Sequence, residues 1–161
     1  MRGFAISDDL FKRFTNACII AVFLISSNTV FWALAVIVGN YGILDGFIDA
    51  YIEKLGFISF VFETALRAIP YMILWLFVLW GYNKNRVFAG IAWGGFLGIS
   101  AYTFWSYWIS LKPFYTNEHV SSTTGLIFLF IPFYAIKYGA IGSLTGGLLA
   151  YLSKFIQKRN D

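Results

Sequence analysis

Residues 15–39 read TNACIIAVFLISSNTVFWALAVIVG, a run without one charged side chain. Crossing the hydrocarbon core of a bilayer takes about 20 mostly apolar residues, so this stretch is long enough to span. Three further runs are also long and mostly apolar, though the first and last carry isolated charges: 57–82, 87–111 and 122–153. The predicted fold is an all-α membrane protein with four transmembrane helices and a single polytopic domain. The fourth run is longer than one upright crossing needs. Pro132 removes a backbone donor there and clashes with the preceding turn, which predicts a kink; the alternative is a short re-entrant piece followed by a span.

Composition points to the same solvent. Hydrophobic residues make up 59% of the 161-residue chain and charged residues 12%, and mean hydropathy is +0.70. Soluble domains are about one quarter charged, so too little charge is present to cover a water-facing surface. With one cysteine, Cys18, and one histidine, His119, neither an internal disulfide framework nor a zinc or haem site is expected. No cofactor is expected. The N-terminus does not read as a signal peptide, since Asp8 and Asp9 sit beside Lys12 and Arg13 and the apolar run behind them is too long.

Lysine and arginine set an expected orientation. Arg2, Lys12 and Arg13 precede the first span, Lys84 and Arg86 join the second to the third, and Lys154, Lys158 and Arg159 follow the fourth. The opposite side carries only Lys54 and Lys112. By the positive-inside rule both termini are expected in the cytoplasm. The basic balance is thus a topology signal, and no nucleic-acid partner is implied. Trp80 and Tyr82 at one end, and Trp105, Tyr107 and Trp108 at the other, suit interfacial belts.

Between the first two spans, residues 41–55 predict an interfacial amphipathic helix. Ile43, Leu44, Phe47, Ile48, Tyr51, Ile52 and Leu55 form its apolar stripe, while Asp45, Asp49 and Glu53 repeat every four residues as an outer acidic ridge.

Four polar residues stand inside the spans. Glu63 and Arg67 are spaced i, i+4 with the acid first, the better order for a helical ion pair. Asn28, in the SSNT of residues 26–29, adds polar capacity at an expected similar depth. Lys137 has no acid within four positions. At 100° per residue it projects opposite a strip of small residues that includes Gly139, Gly142 and Gly146. Its expected partner is Glu63, water or another subunit. Gly90, Gly94 and Gly98 form a matching strip in the third span; small-xxx-small patterns let membrane helices approach closely. These glycines are candidates for helix packing or for assembly of a homo-oligomer.

Neither a phosphate-binding loop, nor a zinc-protease motif, nor a serine-hydrolase elbow occurs. The nearest chemical cluster is Asn117, Glu118 and His119 in a loop. The expected protein is therefore a small non-enzymatic component of the bacterial inner (cytoplasmic) membrane. It would act as an oligomeric pore-forming subunit, or as the sensor or effector subunit of a defence or toxin–immunity module with a co-encoded soluble partner. The alternatives are a small-anion transporter or accessory subunit, and a structural membrane scaffold.

Overall fold

The computed structural model describes residues 8–53, 57–81, 86–116 and 124–160, and every regular element among them is helical. α1 (Asp8–Leu24) and α2 (Ser27–Ile37) share the first apolar run. A short α3 (Ile43–Ile48) passes into a π-helical turn, Asp49–Glu53. α4 (Phe57–Gly81), α5 (Arg86–Leu111), a 3-10 turn (Lys112–Phe114) and α6 (Thr124–Asn160) follow. Three stretches, Phe60–Gly81, Val87–Phe114 and Phe128–Gln157, are long and apolar enough to cross a membrane. A fourth crossing is reached if α1 and α2 count as one bent span.

The first run is not the single helix its composition predicts. α1 and α2 meet at 59° across Ile25 and Ser26. Ser26 is extended (φ −94°, ψ 155°) and caps α2, its Oγ accepting from the Thr29 amide at 3.0 Å. A hydroxyl that bonds the backbone three residues on competes with continuation of the preceding helix. The SSNT sequence therefore starts a helix where hydropathy alone sees only an interior.

At its far end α2 reverses. The amides of Val38 and Gly39 both donate to the Leu34 carbonyl, at 2.8 and 3.1 Å, and Asn40 takes a positive φ of 55°. Asparagine tolerates that left-handed conformation better than most residues. α3 then returns beside α2, with Gly46 against Ala35 and Trp32 and the Trp32 indole donating to the Ile43 carbonyl at 3.0 Å. The expected helix at 41–55 is thus a short α-helix and a π-turn, docked through its small residues. Of its apolar stripe, Ile43, Leu44, Phe47, Ile48 and Ile52 are exposed, Tyr51 is half-buried and Leu55 lies outside the described residues.

α6 runs unbroken through Pro132, so the re-entrant alternative is not adopted. Its contact with α5 is the most extensive in the molecule, and glycine is the reason. A Cβ on Gly94 would lie 2.2 Å from the Gly142 carbonyl oxygen, and one on Gly142 equally close to that of Gly94. Gly90 meets Gly146 in the same way, and Gly98 meets the carbonyl of Tyr138. Gly139 receives the Ile99 side chain. The two strips therefore face each other within one chain. Their backbones are already in contact, so they cannot also serve as the surface that joins copies.

Phe11 packs on Trp75 and Phe14 on Trp93, while Gly90 lies against Ala150. α1 thus begins at the end of the bundle where α6 finishes, here called the terminal end; the opposite end is the hairpin end, after α2 and α3. Two buried apolar clusters follow from this arrangement. Phe14, Cys18, Leu74, Phe88 and Ala92 belong to the one nearer the terminal end. Val30, Phe31, Leu34, Tyr107 and Leu111 belong to the other. Ser26, Ser27, Asn28, Arg67 and Thr103 are buried between them.

Replacing Gly94 by Leu should separate α5 from α6. Overpacking of this kind costs about 1–3 kcal/mol, so unfolding in detergent should shift to clearly lower denaturant. An unchanged midpoint would contradict the seam.

Candidate functional site

The polar layer is built around the break in the first span. A helix end leaves its last carbonyls and first amides without intrahelical partners, and hydrocarbon offers no water to satisfy them. α4 supplies side chains to both ends. Arg67 donates from Nε to the carbonyl of Val22, in the last turn of α1, at 2.8 Å. Its Nη2 donates to Thr64 Oγ1 at 3.0 Å. One turn away, the Glu63 carboxylate accepts a hydrogen bond from the hydroxyl of Ser27, the first residue of α2.

Charge and helix dipole agree at both contacts. A cation stands at the C-terminus of α1 and an anion at the N-terminus of α2, the favourable sign in each case. The i, i+4 spacing of Glu63 and Arg67 predicts an ion pair along one helix. Their hydrogen bonds instead reach across to the two halves of the broken span. Local spacing brings the two residues to one face; the break decides what they bind.

Arg67 is 1% exposed, and its Nη1 has no hydrogen-bond partner. Tyr107, also buried, stands close enough for Arg67 and Glu63 to act on its phenol electrostatically. Between α1 and α4 a lateral groove of about 550 Å³ opens, lined by Val22 and Thr64, both bonded to Arg67. Room therefore exists beside the hinge on the α1 side.

Asn28 ties the layer to the returning hairpin. Its Nδ2 donates to the carbonyl of Ala50 in the π-turn at 3.2 Å, and Ser27 Oγ lies 3.3 Å from its Oδ1. Thr29 Oγ1 and the Tyr51 hydroxyl are 2.9 Å apart. π-turns often mark functional positions, and this one sits directly on the break.

The acidic ridge is not uniform. Asp45 is exposed, but Asp49 is 8% exposed and accepts from the Tyr115 hydroxyl at 2.6 Å. Burial, and then the neighbouring carboxylate, push the Tyr115 phenol well above its ordinary pKa, so it stays a donor. Asp49 thus fastens the hairpin to the end of α5. The Glu53 side chain lies outside the described residues, as do Asn117, Glu118 and His119. Sequence reasoning missed Ser27, Tyr107 and Tyr115. The one signal available was Ser26 three residues before Thr29, a helix-start pattern inside an apolar run.

Lys137 does not join this layer. It is exposed on α6, and the structure separates it from Glu63 in depth. Tyr138 stacks on Tyr102 with ring centroids 4.2 Å apart, and Tyr71 is hydrogen-bonded to Ser100 at 2.9 Å. Lys137 is therefore level with Tyr71, two turns from Glu63, or about 12 Å along the axis. Among the described residues no cluster of histidine, cysteine and acids is arranged to hold a metal ion.

Comparison with protein-family models, curated proteins and solved structures gave no match. The site is read from its own chemistry.

Ser26→Ala should destabilise the protein by about 1 kcal/mol, the usual value of an N-cap. Arg67→Lys keeps the charge but loses the fork that reaches Val22 and Thr64 together. Combined with Glu63→Gln in a double-mutant cycle, it should be non-additive by more than about 0.5 kcal/mol. Strict additivity would mean that the two side chains hold the break independently.

Proposed function

We propose that this chain is a non-enzymatic, multi-pass subunit of a bacterial cytoplasmic membrane in which the broken first span is a gate for ions. Counting α1 and α2 as one crossing, the chain spans four times with both termini in the cytoplasm. That sidedness is supported by eight of its twelve lysines and arginines on the terminal side.

The observation that carries the reading is the break itself, at the depth where Arg67 and Glu63 hold its two ends. Ionisable groups inside a span are costly and mark ion or solute paths. Broken helices at that depth recur where backbone lines such a path. The movable element is α2 with its hairpin, which Asn28 ties together through Ala50 and which Ser27 joins to Glu63. The α5–α6 seam is the rigid wall against which it moves. Opening consists of Ser27 leaving Glu63, which frees the start of α2 to change its angle with α1.

Assembly into a homo-oligomer requires a face other than the glycine seam. Sensor or effector work in a defence or toxin–immunity module would use the same hinge, with a co-encoded soluble protein acting from the cytoplasm. A second reading, an anion transporter, would use the buried Arg67 guanidinium, whose Nη1 makes no hydrogen bond of good geometry and beside which the Tyr107 phenol stands within hydrogen-bonding reach.

Purified protein in liposomes should pass monovalent ions, and Glu63→Gln should change that flux by about tenfold or more, since it releases the N-terminus of α2. Uptake of a labelled anion without conductance would favour the transporter. Impermeable liposomes under every gradient and pH tried would sink both readings and leave the scaffold.

A further inference from the structure

Lys137 is the one lysine or arginine of the chain that lies mid-helix in α6, and its surroundings say what covers it. Among the described residues it has no hydrogen-bond or ion-pair partner, and it is exposed. Its level, that of Ser100 to Tyr102, lies roughly 15 Å from the hairpin end of α5 and roughly 20 Å from the terminal end. A lysine side chain is shorter than either distance, so from this depth it would have to snorkel along the helix to approach a headgroup layer. Left against lipid it would be strongly unfavourable.

A second copy does not solve the problem. Within α4, α5 and α6 the only acidic residue is Glu63. It is engaged with Ser27 and sits two turns away in depth. Copies that share one orientation place Lys137 level with Lys137, never with Glu63. A water-filled lumen does not suit this face either. Phe133, Ile141, Leu144 and Leu148, one to three turns from the lysine along the same side of α6, are all exposed and apolar.

Beside this face runs an open apolar groove of about 760 Å³ between α4 and α6, with α5 as its floor. Ile136, Ala140 and Leu144 on α6 and Ile73 and Phe77 on α4 are among its walls. It extends from the level of Lys137 toward the terminal end. The surface is thus apolar, elongated and marked by a single cation at one depth. Its complement is an apolar helix with a single acid at that depth.

We propose that the Lys137 face and the adjoining groove dock one transmembrane helix of a different protein, bearing a single carboxylate at mid-membrane. The ammonium and carboxylate neutralise each other where neither is tolerated alone. The groove supplies the apolar contact along the helix. This surface is separate from the Arg67–Glu63 layer and stands whether or not that layer gates ions.

The test uses full-length protein in phosphatidylcholine liposomes, labelled at Leu152→Cys in a Cys18→Ser background. The probes are a synthetic leucine–alanine transmembrane peptide with a central Glu and its Gln counterpart, followed by energy transfer. The Glu peptide should bind roughly tenfold or more tightly than the Gln peptide. Lys137→Met should erase that difference, and Lys137→Arg should restore it. Ala140→Trp, which fills the groove, should weaken both peptides. Helical content and melting of the variants check that the fold is kept. Equal binding of the two peptides would overturn the proposal. So would Lys137-dependent self-association without peptide, which would make a second copy the occupant. Lys137-dependent anion leakage without peptide would equally overturn it, by making the face a lumen.

Discussion

A helix that stops within an apolar run needs polar partners at its end, and in this molecule one turn of α4 provides two, one on each side of the break. Arg67 serves the carbonyl of Val22 in the last turn of α1, and Glu63 the hydroxyl of Ser27, the first residue of α2. Both charges are at the dipole ends that favour them. The cost of two ionisable groups at depth and the cost of a broken span are large separately. Combined, each offsets part of the other. Without the break Arg67 would lack its carbonyl; without Arg67 the Val22 carbonyl would lose its side-chain partner.

The rest of the architecture divides around this contact. α5 and α6 are joined by backbone-to-backbone contact at Gly94, Gly142 and their neighbours, flanked by Ile99 against Gly139 and by the Tyr102–Tyr138 stack. The first span and the hairpin behind it are held differently. Besides the apolar packing of Phe14, Val30, Phe31 and Leu34, they are tied to the bundle by polar contacts: Ser27 donates to Glu63, Arg67 donates to Val22, and Asp49 accepts from Tyr115. The two regions thus differ in kind: close backbone contact along the seam, and polar side-chain contacts concentrated at the break.

Much of this was legible in the residues. Long, predominantly apolar runs marked α4, α5 and α6, and the four-residue glycine period marked the close face. The break was not legible for a physical reason: hydropathy averages over a window, and Ser26 to Thr29 disappear among Ile, Phe and Val. Their capping geometry depends on a few dihedral angles, which composition does not record. The pairing of Glu63 with Arg67 was a reasonable inference from i, i+4 spacing, but a competing partner on another helix cannot be seen along one helix. For Lys137 helical phase gave the correct side of α6. Its depth relative to Glu63 required the Tyr102–Tyr138 and Tyr71–Ser100 contacts. Asp49, counted with the ridge by period alone, is turned inward by the π-turn toward Tyr115.

The central claim is that the first span is bent in the membrane and held so by α4. Spin labels at Lys12→Cys and Ile37→Cys, in a Cys18→Ser background in lipid, measure it directly. At 1.5 Å per residue, a 59° bend places the two backbone positions about 33 Å apart, against about 38 Å for a straight helix. The account predicts the shorter distance in the unaltered site, and a broader, longer distribution once Glu63→Gln and Arg67→Gln are combined. A straight-helix distance in the unaltered site would contradict it.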